Sequence, residues 1–151
     1  MRDLFTEELN ADQADQIFND YFKCYSERWS IYDDVIECLE LLEHKGYRLG
    51  NISNGDFKQQ VEKLKKTGIH QYFKNNIYTS SEIGIPKPAQ GIFVEACRLA
   101  GVTPETSCYI GDRLETDAIG SAKAGLKGIW LNRKDNKKNK KVLSLYIALQ
   151  T

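Results

Sequence analysis

The 151-residue sequence lacks a long apolar run, paired cysteines and an excess of charge of either sign. No apolar run approaches 18 residues and the N-terminus is acidic, so neither a membrane-spanning helix nor a signal peptide is predicted. The four cysteines form no C-x-x-C pair, which is typical of reduced thiols in a cytoplasmic protein. Lysine plus arginine (21) equals aspartate plus glutamate (21), so the overall charge favours neither nucleic acid nor a membrane as partner.

The first thirty residues predict one amphipathic helix. Asn10 and Gln13 have the spacing of a capping box at its start. The helix carries an aromatic stripe at helical spacing, made of Phe18, Tyr21, Phe22, Tyr25 and Trp29. We interpret the stripe as a surface that packs against other helices, and a platform for bases or sugars is the alternative.

From residue 31 onward, helices alternate with strands. Strands are predicted over residues 47–53, 76–79, 107–110 and 128–131, and helices over 34–44, 57–67, 89–100 and 116–124. This alternation predicts parallel βαβ units in a Rossmann-like α/β sheet with flanking helices. Ligands bind beyond the carboxyl ends of the strands in such sheets. Ser53 ends one predicted strand, and Asp112 follows another.

A basic segment follows the last predicted strand. Its charged residues are Arg133, Lys134, Lys137, Lys138, Lys140 and Lys141, with one acid, Asp135. Because no aromatic residue is interleaved with these charges, we interpret the segment as a solvated surface loop, with a nucleic-acid patch as the alternative.

Acidic residues cluster in the stretch YIGDRLETD, residues 109–117. Asp112 directly follows a predicted strand, and Asp117 lies in the first turn of the next helix. Carboxylate oxygens at such a place are suitable ligands for Mg²⁺. Helix capping, with favourable negative charge at a helix N-terminus, is the alternative for Asp117 and Glu115.

Two further motifs could bind an anion. In the first, Ser53 ends a strand, and Asn54 and Gly55 turn the chain into a helix whose N-terminal amides favour negative charge. In the second, Lys87 lies between two prolines just ahead of a helix. The prolines stiffen the backbone, so Lys87 could neutralise a carboxylate or a phosphoryl group there, although a plain surface lysine is the alternative.

The order of these three motifs resembles that of the haloacid dehalogenase-like (HAD) hydrolases over residues 31–132. The resemblance implies that Ser53 binds the transferred phosphoryl group beside the Asn54–Gly55 backbone and that Lys87 steadies its charge. It also implies that Asp112 and Asp117 hold Mg²⁺. Residues 1–30 resemble a remnant of the family's helical cap, and residues 31–151 its α/β core.

One motif of the family is absent. The family's first strand ends in D-x-D-x-T, whose first aspartate is the nucleophile, and this sequence contains no D-x-D; Asp33 and Asp34 are adjacent and precede a helix. We therefore expect a chain that either is truncated or has truly lost its N-terminal segment, and that is inactive or nearly so by itself. The family's first strand lies between the strands that end here at Ser53 and Ile110, so we expect the resulting gap to be filled by dimerisation, strand exchange or closure of the sheet.

The resemblance implies a Mg²⁺-dependent phosphatase for a small phosphorylated metabolite. A 2-haloacid dehalogenase is a weaker alternative, because those enzymes need no metal and usually lack the paired acids. From another functional class, the chain could be a non-catalytic remnant or a partner-dependent binding module. A nucleotide-binding or response-regulator-like domain is the weakest alternative, because no glycine-rich phosphate loop is present.

Overall fold

The structure is a computed structural model that describes residues 10–133. The chain divides into two compact units, residues 1–31 and 32–151. Most of the basic segment, residues 134–141, lies outside the described residues, so its interpretation stays a prediction. Among the described residues, no helix is long and apolar enough to cross a membrane.

The first unit contains one helix, α1 (Ala11–Glu27). The capping box is confirmed, because Asn10 Oδ1 accepts from the Gln13 amide at 2.9 Å and Gln13 Oε1 accepts from the Asn10 amide at 3.1 Å. The aromatic stripe stacks along the helix, with ring centroids 5.9 Å apart for Tyr21 and Tyr25. Tyr21 is 63% exposed, and the packing of this stripe against other helices stays a prediction.

The second unit alternates helices and strands, as predicted. The longer helices are α2 (Val35–His44), α3 (Phe57–Lys66) and α6 (Gln90–Ala100), and the one-turn helices are α4 (His70–Phe73), α5 (Ser80–Ile83) and α7 (Gly120–Lys123). The strands are β1 (Asn51–Ser53), β2 (Ile77–Thr79), β3 (Cys108–Gly111) and β4 (Lys127–Trp130). A 3₁₀ turn spans Pro104–Thr106 and a π-helix spans Leu114–Ile119.

Two predicted elements differ in detail from those observed. The strand predicted over residues 47–53 is only Asn51–Ser53, because its ladder partner β2 begins at Ile77, opposite Asn51. The helix predicted over residues 116–124 is a π turn followed by α7. In that turn the Ala118 amide reaches the Arg113 carbonyl, five residues back, a geometry that is frequent at functional sites.

The core lies where α6 packs against the strands. Ile92 and Phe93 of α6 have no exposed surface, and Cys97 and Leu126 complete the buried cluster. The Phe93 ring meets the Tyr109 ring edge-on, with centroids 5.1 Å apart. The apolar face of α6 therefore determines the position of β3, the strand that leads to Asp112.

The parallel strands form two separate pairs. Within the described residues, β1 pairs only with β2 and β3 only with β4. A cleft of about 580 Å³ is lined by residues of β1 and β3 and of helices α2 and α6. The Tyr109 hydroxyl spans from β3 to β1, where it donates to the Ile52 carbonyl at 2.8 Å. Among the described residues the predicted gap is present and the Tyr109 side chain bridges it, so the expected closure of the sheet is wrong there, because β1 and β3 do not pair. Filling of the gap by dimerisation or strand exchange stays a prediction.

Candidate functional site

The predicted site residues lie at or just beyond the carboxyl ends of two strands. Ser53 is the last residue of β1, and Asp112 directly follows β3. Asp117 lies in the π turn after β3, and Lys87 lies in the loop between α5 and α6. This edge is the region in which open α/β sheets bind their ligands.

Lys87 and Asp117 form a buried ion pair. The Lys87 Nζ atom lies 2.7 Å from Asp117 Oδ1, and the two side chains are 11% and 6% exposed. The same ammonium donates to the Tyr109 hydroxyl at 2.7 Å. Because Tyr109 in turn donates to the Ile52 carbonyl, a continuous chain of hydrogen bonds runs from Asp117 to β1.

The electrostatic surroundings keep Lys87 charged. Burial lowers the pKa of Lys87. The electrostatic interactions and hydrogen bonds with Tyr109 and Asp117 raise it by more, so the pKa of Lys87 lies above its usual value. Burial raises the pKa of Tyr109, and the neighbouring Lys87 ammonium offsets only part of that rise. At neutral pH the site therefore holds a lysine cation against a neutral phenol.

Asp117 is held on both of its oxygens. Oδ1 accepts from Lys87, and Oδ2 accepts from the Arg113 amide at 3.1 Å. The second bond resembles the helix-capping role that was the alternative for this residue. Gly111 lies so close to the Asp117 side chain that a Cβ at position 111 would collide with it, which explains the glycine before Asp112.

Asp112 is placed differently from Asp117. It is exposed, and its main-chain carbonyl accepts from Trp130 Nε1 at 3.1 Å. Within the described residues, no group of three or more His, Cys, Asp or Glu side chains is placed to hold a metal. Of the two predicted metal ligands, Asp112 is thus exposed, and each oxygen of Asp117 accepts one bond and keeps a further lone pair.

The serine–asparagine–glycine turn is tied to its surroundings. The Ser53 hydroxyl donates only a long bond, 3.3 Å, to the Asn54 carbonyl. The Asn54 carboxamide binds both backbone polar groups of Lys87, at 2.8 and 3.1 Å. The Gly55 amide, which the sequence predicted to bind an anion, donates instead to Ser80 Oγ at 2.9 Å.

Sequence analysis missed Tyr109 and Ser80 as members of this site. Tyr109 was counted only as part of an apolar strand. A signal for it existed, because a tyrosine in a buried strand needs a partner for its hydroxyl. Ser80 carries no comparable signal, because its contact with Gly55 depends on how α5 packs against the turn after β1.

The family model of the haloacid dehalogenase-like hydrolases matches residues 1–125. Glyceraldehyde 3-phosphate phosphatase of Methanopyrus kandleri is 42% identical over 102 residues, which are 68% of this chain and 43% of that protein. N-acylneuraminate-9-phosphatase of Mus musculus is 40% identical over 102 residues, 67% of this chain and 40% of that protein.

The fold agrees with these relatives. The crystal structure of a HAD phosphatase from Thermococcus onnurineus superposes with a TM-score of 0.70 at 30% identity, covering 82% of this chain and 56% of that one. The chain spans about two-fifths of the length of the two curated relatives, which are both phosphatases. The resemblance read from the motifs and the Rossmann-like fold are thus confirmed, and the chain belongs to the haloacid dehalogenase-like hydrolases.

Proposed function

We propose that the whole protein is a Mg²⁺-dependent phosphatase that hydrolyses a small phosphate monoester through an aspartyl-phosphate. The observation that carries the proposal is the buried Lys87–Asp117 pair at the carboxyl edge of the strands, beside Ser53 and Asp112. A fixed cation at that edge is suited to the charge that develops on a transferring phosphoryl group. The sequence similarity to two phosphatases supports the same reaction class.

Two residues of this chain would contact the phosphoryl group. The Lys87 ammonium has three donors, of which Asp117 and Tyr109 take two, so one is left for a phosphoryl oxygen. The Ser53 hydroxyl, held only by a long bond, can turn to donate to a second oxygen. The main chain at Asn54 and Gly55 would lie beside them.

The carboxylates fit a largely hydrated Mg²⁺. This ion keeps several waters and needs only one or two carboxylates from the protein. Asp112 would bind it and Asp117 would orient its water through the free lone pairs, while remaining the counter-ion of Lys87. When bound, Mg²⁺ supplies positive charge to the phosphoryl oxygens.

The nucleophile in this proposal is an aspartate of a D-x-D-x-T motif, which this sequence does not contain. Its carboxylate oxygen would form a bond to phosphorus while the ester P–O bond breaks and the leaving alkoxide takes a proton from the second aspartate of that motif. Water would then attack the phosphorus, releasing phosphate and restoring the carboxylate. We therefore propose that this chain alone is inactive or nearly so. We also propose a cytoplasmic location for the protein, on the basis of its unpaired cysteines.

The same absence favours a second candidate, a non-catalytic or partner-dependent binding module. The experiment that separates the two is complementation. The chain is fused to an upstream strand segment carrying D-x-D-x-T and assayed with p-nitrophenyl phosphate and Mg²⁺. The control fusion has asparagine in place of the first aspartate of that segment.

Turnover in the fusion and none in its control is the result that the phosphatase proposal predicts. No turnover in a folded fusion, at any Mg²⁺ concentration, favours the binding module. In an active fusion, Asp112→Asn should raise the Mg²⁺ concentration needed for half-maximal rate by about tenfold, because one metal ligand loses its charge. An unchanged requirement removes Asp112 from the metal site.

A further inference from the structure

The Asn54 carboxamide holds the backbone of Lys87, a residue 33 positions away in the chain. Asn54 Oδ1 accepts from the Lys87 amide at 2.8 Å, and Asn54 Nδ2 donates to the Lys87 carbonyl at 3.1 Å. The carboxamide thus both donates to and accepts from one residue, as the main chains of a hydrogen-bonded residue pair do in an antiparallel sheet. One side chain of the turn after β1 thus occupies both main-chain polar groups of the lysine.

The chemistry of the partners fixes the orientation of this carboxamide. If the amide group were turned over, its NH₂ would face the Lys87 N–H and its oxygen would face the Lys87 carbonyl, which are repulsive pairs. The network therefore assigns Oδ1 to the amide and Nδ2 to the carbonyl. Both polar atoms of the Asn54 side chain are thus bound to the Lys87 main chain in the absence of substrate.

Apart from the turn bond from the Ala89 amide to the Pro86 carbonyl at 3.1 Å, the loop around Lys87 has few backbone donors with which to fix itself. Pro86 and Pro88 have no amide hydrogen, so Lys87 carries the only amide donor of the three residues. The next residue, Pro88, packs against Gly120, where an added Cβ would lie 3.2 Å from the Pro88 Cβ. The loop is thus clamped between the turn after β1 and helix α7, with the Lys87 backbone in the clamp.

We propose that Asn54 is a positioning residue whose side chain sets the place of the Lys87 ammonium against Asp117 and Tyr109. Its side chain does not bind substrate; it acts through the lysine. The benefit to phosphoryl binding rests on the proposed function, whereas the clamp itself does not. A displacement of the Lys87 backbone would be carried to an ammonium that makes two bonds of 2.7 Å.

The test uses the ¹⁵N-labelled chain without ligand. The side-chain ammonium signal of Lys87, assigned by its loss in Lys87→Met, is recorded by NMR in wild type, Asn54→Ala and Asn54→Asp. Asn75, an exposed asparagine before β2, supplies the control Asn75→Ala. We expect the signal to shift or broaden away in Asn54→Ala, to survive in part in Asn54→Asp, which keeps the acceptor oxygen, and to be unchanged in the control.

An unchanged Lys87 ammonium signal in Asn54→Ala overturns the proposal, even if that variant melts at a lower temperature. If Asn54→Ala does not fold, the Lys87 ammonium signal of Asn54→Asp decides instead. A weakened or shifted signal in that variant supports the proposal, and an unchanged signal overturns it. Inorganic phosphate with Mg²⁺ is then titrated separately. A phosphate affinity about tenfold weaker in Asn54→Ala, together with no further loss when Asn54→Ala is added to Lys87→Met, supports action through the lysine, whereas additive losses overturn it. Failure of wild type to bind phosphate counts against the proposed function and leaves the ammonium result to decide the clamp.

Discussion

At the scale of single residues, Lys87 and Asp117 each depend on the other, because neither charge would be stable at this depth without its partner. A buried ion pair gains little over a well-packed apolar pair, but removing one partner leaves an uncompensated buried charge. The Arg113 amide and the Tyr109 hydroxyl satisfy further bonding capacity of the two groups. This explains how a lysine and an aspartate come to lie so deep at the edge of a small sheet.

Lys87→Met should therefore destabilise the fold by about 3 kcal/mol, the cost typical of breaking a buried pair. The free energy of unfolding is measured by urea denaturation near pH 7. Lys65→Met, at an exposed position of α3, is the control and should change stability by less than about 0.5 kcal/mol. Equal stabilities for the two variants would show that the pair is not formed in solution.

The pH dependence gives a second check on the same variant. Because the pKa of Lys87 is raised in the folded state, its stabilisation is fully present below the unfolded-state pKa, about 10.4. It is lost as the pH rises through the higher folded-state pKa. The stability difference between wild type and Lys87→Met should thus be constant from pH 6 to 9 and shrink above pH 10. A difference that already falls between pH 6 and 8 would contradict this assignment.

The sequence alone was enough to single out three of the site residues. Ser53 and Asp112 follow from residue type and from position at strand ends, and Lys87 follows from its place between two prolines ahead of a helix. The contact of Lys87 with Tyr109 does not, because it joins residues 22 apart through side-chain directions that no local pattern encodes. The roles proposed for all these residues stay predictions.

At the scale of elements, the turn after β3 departs most from expectation. The small residues of 116–124 predicted a regular helix, whereas Leu114–Ile119 is a π-helix. The prediction was right about the helical backbone, and the structure adds that the Asp117 carboxylate in this turn binds both the Arg113 amide and Lys87. Such a tertiary contact cannot be read from the periodicity of a nine-residue segment.

The packing of this element against β4 leads to a prediction about glycine. A Cβ at Gly128 would collide with the Ala118 main-chain carbonyl, whereas a Cβ at Gly46 meets nothing within 4 Å and suffers only from its φ of +81°. Gly128→Ala should cost at least about 3 kcal/mol, as overpacking against a rigid backbone, and Gly46→Ala about 1–2 kcal/mol, for the left-handed conformation.

Thermal unfolding of both glycine variants measures the contrast. The two substitutions add the same methyl group, so any difference reports the close approach of the π turn to β4. If Gly46→Ala is as damaging as Gly128→Ala, steric contact at position 128 is not what limits the fold.

At the scale of the whole molecule, the two strand pairs and the cleft between them are the main feature. The facing edges of β1 and β3 carry main-chain groups that no strand of the described residues pairs. Such edges are templates for pairing with another chain. The alternation of elements predicted the type of sheet. The lack of a strand between β1 and β3 is a non-local property, and it was inferred only through the family resemblance.

We therefore expect the purified chain to self-associate. Light scattering after gel filtration should give a mass near twice the 17.3 kDa of one chain, rising with concentration. Tyr109→Phe removes the hydroxyl that spans the cleft and should strengthen this association, with Tyr72→Phe as the matched control. A strictly monomeric mass at high concentration would refute the expectation that a second chain fills the gap.

The bonds at this site also determine when it can form during synthesis. Each of its main contacts joins segments that are distant in the chain, with separations of 22 to 57 residues between the bonded partners. Contacts of such long range form slowly, because the intervening loop must first be closed. As a ribosome adds residues, Lys87 is made before Tyr109 and Asp117, so its ammonium remains in water until those two partners have also been made.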